Sequence, residues 1–183
     1  MLRHKEEQVI GLIEKFRCGN DEAFDEIVRL IASDIVNIAY CYMKSLEDAK
    51  DTCQDVLLKL YRRLKSFRGA SRISTWIYRV TINTCIDSLR KKKTTVSLDE
   101  AITKDEKSDI LVTERVERKD NQIIIRKALE MLSLRQKNVI ILKHFEGLKI
   151  HQISEILGCS QSSIKTHLVR ALDNLRKELG GIK

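Results

Sequence analysis

The sequence predicts an all-α fold: two small helical domains joined by a flexible linker. Three observations carry that expectation. Proline is absent and glycine occurs only 7 times in 183 residues, where an average chain would hold roughly 9 and about 13. Sheet-rich and loop-rich folds need those residues at their turns, so long helices with short links are favoured. Apolar residues recur at helical spacing through residues 9–92 and again from 123 onward. Between them, residues 94–120 are mixed in charge and sparse in apolar side chains. The domains are therefore expected at 1–93 and 121–183, with 94–120 as the linker.

Each element has its own signal. Val9, Ile10, Ile13 and Phe16 mark a short helix that stops near Gly19-Asn20. Asp21 opens a longer one with Phe24, Ile27, Val28, Ile31, Ile35, Ile38 and Tyr42 as its stripe. A third runs from about Leu46 to Lys65 and buries Ala49, Cys53, Val56, Leu57, Leu60 and Leu64. A fourth starts near Ser71 or Ser74 and ends near Lys92. It is apolar on two sides, Ile73, Trp76, Ile77 and Val80 on one and Tyr78, Ile82, Ile86 and Leu89 on another, so it should lie between neighbours.

At 148–179 two helices meet at a tight turn. Leu148, Ile150, Ile153 and Leu157 face one core, and Gly158-Cys159-Ser160 turns the chain. Ile164, Leu168, Ala171, Leu172, Leu175 and Leu179 follow on one face. With small Ser154 where the helices approach, this is helix-turn-helix geometry. Steps of 100° per residue place Ser162, Thr166, Val169 and Arg170 opposite the core, with Lys165 flanking. Short hydroxyls and long cations there suit base edges and phosphates of a major groove.

Charge is segregated. The net charge of +8 divides into −4 over 1–60, +9 over 61–93, −3 over 94–120, +1 over 121–133 and +5 over 134–183. Two basic blocks separated by an acidic stretch predict two contacts with a polyanion such as nucleic acid. Other chemistry finds little support. The five cysteines are scattered, with no CxxC and no Cys/His cluster, which argues against disulfides, structural zinc and a cysteine nucleophile. His4, His144, His151 and His167 lack ligand spacing, and there is no phosphate-binding glycine loop. No metal, cofactor or small-molecule substrate is expected. No run of about 18 apolar residues is present, and the first residues lack a signal peptide's apolar stretch, so a soluble cytoplasmic protein without membrane insertion is expected.

Asp48-Ala49-Lys50-Asp51-Thr52-Cys53-Gln54-Asp55-Val56, then Phe67-Arg68-Gly69 and Ser74-Thr75-Trp76-Ile77-Tyr78-Arg79-Val80 with Asn83, resemble the second conserved region of bacterial sigma factors. The helix-turn-helix, preceded by Leu134-Arg135-Gln136 and ending Arg170-Ala171-Leu172-Asp173-Asn174-Leu175-Arg176, resembles their fourth region. Two regions and a short linker are similar to the extracytoplasmic-function group.

That resemblance implies a non-enzymatic transcription initiation factor that binds core RNA polymerase, directs it to promoter DNA and helps open it. Asp48, Asp51, Gln54 and Asp55, with Leu57 and Leu58, would dock on the β′ clamp helices, and the fourth region would reach the β flap. Phe67, Arg68, Ser71, Arg72 and Ile73 would form the loop that receives a flipped minus-ten base, with Asn83 a nearby polar contact. Arg68, Arg72, Arg79, Arg90 and Lys91 would hold phosphates, and Trp76 would pack rather than stack on a base. Ser162, Ser163, Lys165, Thr166, His167, Val169 and Arg170 would read the minus-35 element. The resemblance also implies an anti-sigma factor, frequently one at the membrane. The chain departs from the pattern at Ile73 (Phe is common), Gln152 (Glu), Ser154 (Ala) and His167 (Arg). A simple helix-turn-helix regulator that binds duplex DNA without polymerase is the alternative, and it would need neither the Asp/Gln motif nor the Trp76 block.

Overall fold

A computed structural model describes residues 5–43, 45–67, 69, 71–96, 125 and 127–179. The stretch 97–124, with most of the expected linker, lies outside them, and so does Arg68. Among the described residues every regular element is helical and no strand occurs. In chain order they include α1 (Glu6–Arg17), α2 (Glu22–Tyr40), α3 (Leu46–Leu64), α4 (Ile73–Val96), α5 (Leu134–Ile140) continuing into a π-helical turn (Ile141–Phe145), α6 (Ile150–Leu157) and α7 (Gln161–Leu179). Helix α4 runs to Val96, past the expected end near Lys92.

Local chemistry sets the helix starts. The Ser45 hydroxyl accepts from the backbone N–H of Asp48 at 3.1 Å, and Glu47 and Asp48 place negative charge at the positive end of α3. At α2 the cap comes from one residue earlier than Asp21: Asn20 Oδ1 accepts from the Ala23 N–H at 3.3 Å. Ser133 and Gln136 cap α5 reciprocally, the Ser133 hydroxyl accepting from the Gln136 N–H while Gln136 Oε1 accepts from the Ser133 N–H.

Helices α1 to α4 enclose one core built on Phe16, Ile27, Ile31, Ile35, Ile38, Val56, Leu60 and Ile77. Burying each large side chain contributes about 1.5–3 kcal/mol. Helix α4 is wrapped as its pattern predicts. Its mid-helix threonines are buried without loss, because the Thr81 and Thr84 hydroxyls donate to the carbonyls of Ile77 and Val80. Lys59 Nζ in turn donates to Thr84 Oγ1. A buried acid, Asp34, accepts from Lys5, whose ammonium also donates to the Leu30 carbonyl.

The same core continues into the C-terminal part through Val139, Ile141, Leu142, Leu148, Ile153, Ile156 and Ile164. Helix α4 packs on α1, α2 and α3 and also on α6. Sequence periodicity treats the two helical units as separate; here the second apolar side of α4 is covered by the helix-turn-helix. A smaller cluster of Leu129, Leu132, Ile140 and Ala171 holds α5 and α7 together.

Candidate nucleic-acid interface

The acidic surface lies on α3. Asp48, Asp51 and Asp55 are spaced by three and four residues and so share one face. Asp51, Gln54 and Asp55 are exposed. Asp48 is half-buried and ion-paired with Lys92 of α4. The hydrogen bond from Lys92 holds the Asp48 carboxyl below its usual range, helped by Ser45 and opposed by partial burial. Leu58 extends the surface at 54% exposure, whereas Leu57 is half-buried against the core. Sequence reading overlooked Tyr61, which is exposed one turn beyond Leu58 and packs edge-on against Phe24 at 5.0 Å. Its spacing of three residues from Leu58 was the available signal.

The basic block follows. Phe67 is half-buried with its ring 5.3 Å from that of Trp76, so the two aromatics pack on each other at the foot of α4. Ser71 is half-buried and Arg72 exposed. Ile73 corrects an expectation: at 2% exposure it is a core residue, and its side chain has no face to offer a base. A branched aliphatic side chain at the first turn of α4 fills the bundle instead. Asn83, Arg90 and Lys91 are exposed along α4. Arg79 is exposed too, but its guanidinium is engaged, with Nη2 donating to the Glu155 carbonyl at 2.6 Å and Nε to the Ile156 carbonyl at 3.3 Å.

The helix-turn-helix is set by Gly158, whose backbone is left-handed at φ 64° and ψ 37°. Its N–H closes α6 on the Ser154 carbonyl at 2.9 Å. The Ser154 hydroxyl then donates to the Cys159 carbonyl at 2.5 Å, pinning the turn. Gln152 is buried and its Oε1 accepts from the Lys149 N–H at 3.0 Å, so a neutral amide performs the capping a carboxylate could. Ser160 caps α7 by accepting from the Ser163 N–H at 3.2 Å.

On the outer face of α7, Ser162, Lys165, Thr166, Val169 and Arg170 are all exposed. Val169, at 58%, is a large apolar side chain in a polar row, which suits a thymine methyl group. The Thr166 hydroxyl donates to the Ser162 carbonyl at 3.0 Å and keeps its lone pairs for an incoming donor. Ser163 and His167 are half-buried and turned elsewhere. With Arg79 and Asn83 they line a cleft of about 590 Å³ between α4 and the helix-turn-helix.

Two buried hydrogen bonds brace that arrangement, and neither has a sequence signal. The Tyr42 hydroxyl donates to Asn138 Oδ1 and the Tyr78 hydroxyl to Glu146 Oε2, each at 2.7 Å. Burial raises the Glu146 carboxyl above its usual range, as does the charge of Asp34; the bond from Tyr78 and the charge of Lys5 pull the other way. Burial also pushes the Cys41 thiol up to about 11 and that of Cys85 up to about 12. Both stay protonated near neutral pH and are poor nucleophiles. Among the described residues no group of three His, Cys, Asp or Glu side chains could hold a metal, and no helix is long and apolar enough to cross a membrane.

Residues 27–95 match the family described as Sigma-70 region 2, and residues 122–175 match Sigma-70, region 4. The chain is 34% identical to the RNA polymerase sigma factor SigV of Bacillus subtilis, covering 80% of this chain and 84% of that protein. It is 28% identical to the ECF RNA polymerase sigma factor SigW of the same organism, over 91% of this chain and 94% of that one. Among solved structures it resembles the sigma factor RpoE of Bartonella quintana, solved in complex with the anti-sigma factor NepR. That match has a TM-score of 0.69 and 25% identity, over 87% of this chain and 98% of that one. The fold also matches CnrH, solved with the cytosolic domain of CnrY, at a TM-score of 0.72, with 19% identity over 94% of this chain and 97% of that one.

Proposed function

We propose a division of labour that follows from one fact: this chain belongs to the sigma-70 family, in its extracytoplasmic-function group. As a sigma factor it binds core RNA polymerase, directs it to specific promoters and promotes DNA opening. The exposed carboxylates Asp51 and Asp55, with Gln54, Leu57 and Leu58, dock on the β′ clamp helices. Asp48 joins them when Lys92 releases it. The C-terminal unit, 121–183, sits at the β flap and lays α7 in the major groove of the minus-35 element. There Lys165 and Arg170 reach phosphate or guanine, and Ser162, Thr166 and Val169 read neighbouring edges.

The block from Phe67 to Lys91, within the N-terminal unit 1–93, takes the minus-ten element. Flipping a base costs a few kcal/mol of unstacking. The Phe67–Trp76 pair builds the floor of the receiving loop, Asn83 supplies a polar contact, and Arg68, Arg72, Arg79, Arg90 and Lys91 offset phosphate charge. The chain works by binding energy alone and catalyses no reaction of its own, without cofactor or small-molecule substrate. Its place of work is the cytoplasm, where polymerase is. An anti-sigma factor holds it in reserve, a reading supported by the likeness to RpoE of Bartonella quintana in complex with NepR.

The observation that carries this reading is the outward row of Ser162, Lys165, Thr166, Val169 and Arg170 on the same chain as the acidic face of α3. Run-off transcription with purified core polymerase on a genomic promoter library tests it. The chain should produce discrete transcripts that core alone does not. Duplex binding without any polymerase-dependent transcript would instead favour a simple helix-turn-helix regulator.

A further inference from the structure

We propose that the cavity between α2 and the π-helical turn is a binding site for a small amphipathic organic cation, an aryl- or alkylammonium, whose charged head pairs with Glu146. The cavity measures about 300 Å³, at the small end of the roughly 300–1,000 Å³ that ligand pockets occupy. Its lining is sorted by depth. Ile125 and Phe145 are exposed apolar side chains at the mouth, Ile38, Leu129 and Ile141 are buried walls, and the acids Asp34 and Glu146 are buried at the floor. The π-helical turn assembles half of this lining. In an α-helix Glu146 would stand about 140° around the axis from Ile141. The wider winding lets Ile141, Phe145 and Glu146 line one space, and such turns recur at functional sites.

Glu146 is the anchor. The residue is 8% exposed, and its Oε2 accepts from Tyr78, while Oε1 has no hydrogen-bond partner among the described residues. A buried carboxylate oxygen without a partner carries a desolvation cost that an entering donor removes. Asp34 already pairs with Lys5 at 3.1 Å, so it acts on a ligand through its charge rather than as a vacant acceptor. Burial first, and then Asp34, raise the Glu146 pKa against the pull of the Tyr78 bond and of Lys5, so a cation beside it would favour the ionised form. Lys137, buried on α5, acts on Cys41 but does not line the cavity. A metal ion does not fit here. Calcium takes about six to eight oxygen ligands, and among the described residues no three His, Cys, Asp or Glu side chains gather to hold a metal. An anion would meet two carboxylates, and a neutral apolar molecule would leave Oε1 as it is. One ammonium with an apolar tail satisfies both floor and walls.

The test uses the full chain at about pH 8, where an aliphatic ammonium is still charged. Calorimetric titration with phenethylammonium chloride should show saturable one-to-one binding. Phenethyl alcohol, neutral and of the same shape, should bind at least about tenfold more weakly. Amide NMR shifts caused by the amine should concentrate at Asn37, Leu129 and Phe145, which all line the cavity. Affinity should climb as pH rises through the raised Glu146 value, with a proton released on binding; Asp34, Lys5 and Tyr78 are the groups that face this carboxyl. Glu146→Gln keeps an acceptor for Tyr78 without the charge, so it should cut affinity about tenfold and flatten that pH dependence. Should this variant fail to fold by circular dichroism, Ile125→Trp closes the mouth from an exposed position and should weaken binding to the same degree. So small a ligand is expected to bind with a Kd of about 1 mM or below, so no saturation by about 10 mM overturns the proposal. Equal affinity for amine and alcohol, or shifts centred elsewhere, overturns it too. None of these outcomes touches the sigma-factor reading, which stands or falls on run-off transcription.

Discussion

The hydroxyl of Tyr78 and the carboxylate of Glu146 meet at 2.7 Å across 68 residues of sequence, both buried. The carboxyl pays for that position with a raised pKa, caused first by burial and then by Asp34, and opposed by Tyr78 and Lys5. The Cys41 thiol nearby stays neutral near pH 7. An acid whose pKa is raised in the packed state stabilises that state below its ordinary value of 4.5 and loses the contribution as pH climbs through the raised value. Packing of the two units should therefore weaken as pH rises from 4.5. Glu146→Gln keeps an acceptor for Tyr78 without ionising, so its thermal unfolding should be flatter over that window. Parallel pH profiles for the two proteins would refute the assignment.

Gly158→Ala should destabilise the chain by about 1 kcal/mol in chemical denaturation. A Cβ at this position meets nothing within 4 Å, so the cost comes from the left-handed backbone alone. Ser154→Ala should cost a similar amount, about 1 kcal/mol, by removing the bond to the Cys159 carbonyl.

Replacing Asp51, Gln54 and Asp55 together with Ala should weaken core polymerase binding by roughly tenfold or more. Duplex binding by the same full-length variant should not change, because the three side chains are exposed on α3, outside the helix-turn-helix. Fluorescence anisotropy with each partner checks both halves. Unchanged core affinity would move the docking site elsewhere on the chain.

Arg170→Ala should weaken binding to the minus-35 duplex even when the template is already open downstream. Asn83→Ala should instead slow opening and blunt minus-ten sequence choice. A pre-melted template should rescue the opening but not the choice. Permanganate footprints on closed and pre-melted templates distinguish the two; normal melting with unchanged minus-ten preference in Asn83→Ala would remove Asn83 from strand capture.

Periodicity located the helices because burial repeats every three or four residues, and it marked α4 as enclosed because apolar side chains surround it. It could not say that α6 supplies the last wall. A backbone carbonyl has no sequence identity, so nothing marked Glu155 and Ile156 as acceptors for Arg79. Tyr42 and Asn138 pair across 96 residues, a separation no local pattern reaches. At Gly158 the turn was legible because few residues tolerate its conformation. At Ile73 position in a family motif suggested a place in the base-receiving loop, while the side chain is buried in the core.

The π-helical turn at Ile141–Phe145 makes residue count matter inside a helix. There the Glu146 N–H reaches back five residues to the Ile141 carbonyl at 3.1 Å, one more than an α-helix spans. Each residue advances a helix by about 100°, so deleting one here to restore ordinary winding would rotate Glu146 away from Tyr78 and re-aim everything that follows, α6 and α7 included. Surface loops absorb such length changes silently; this turn would convert a single lost codon into a misdirected reading head.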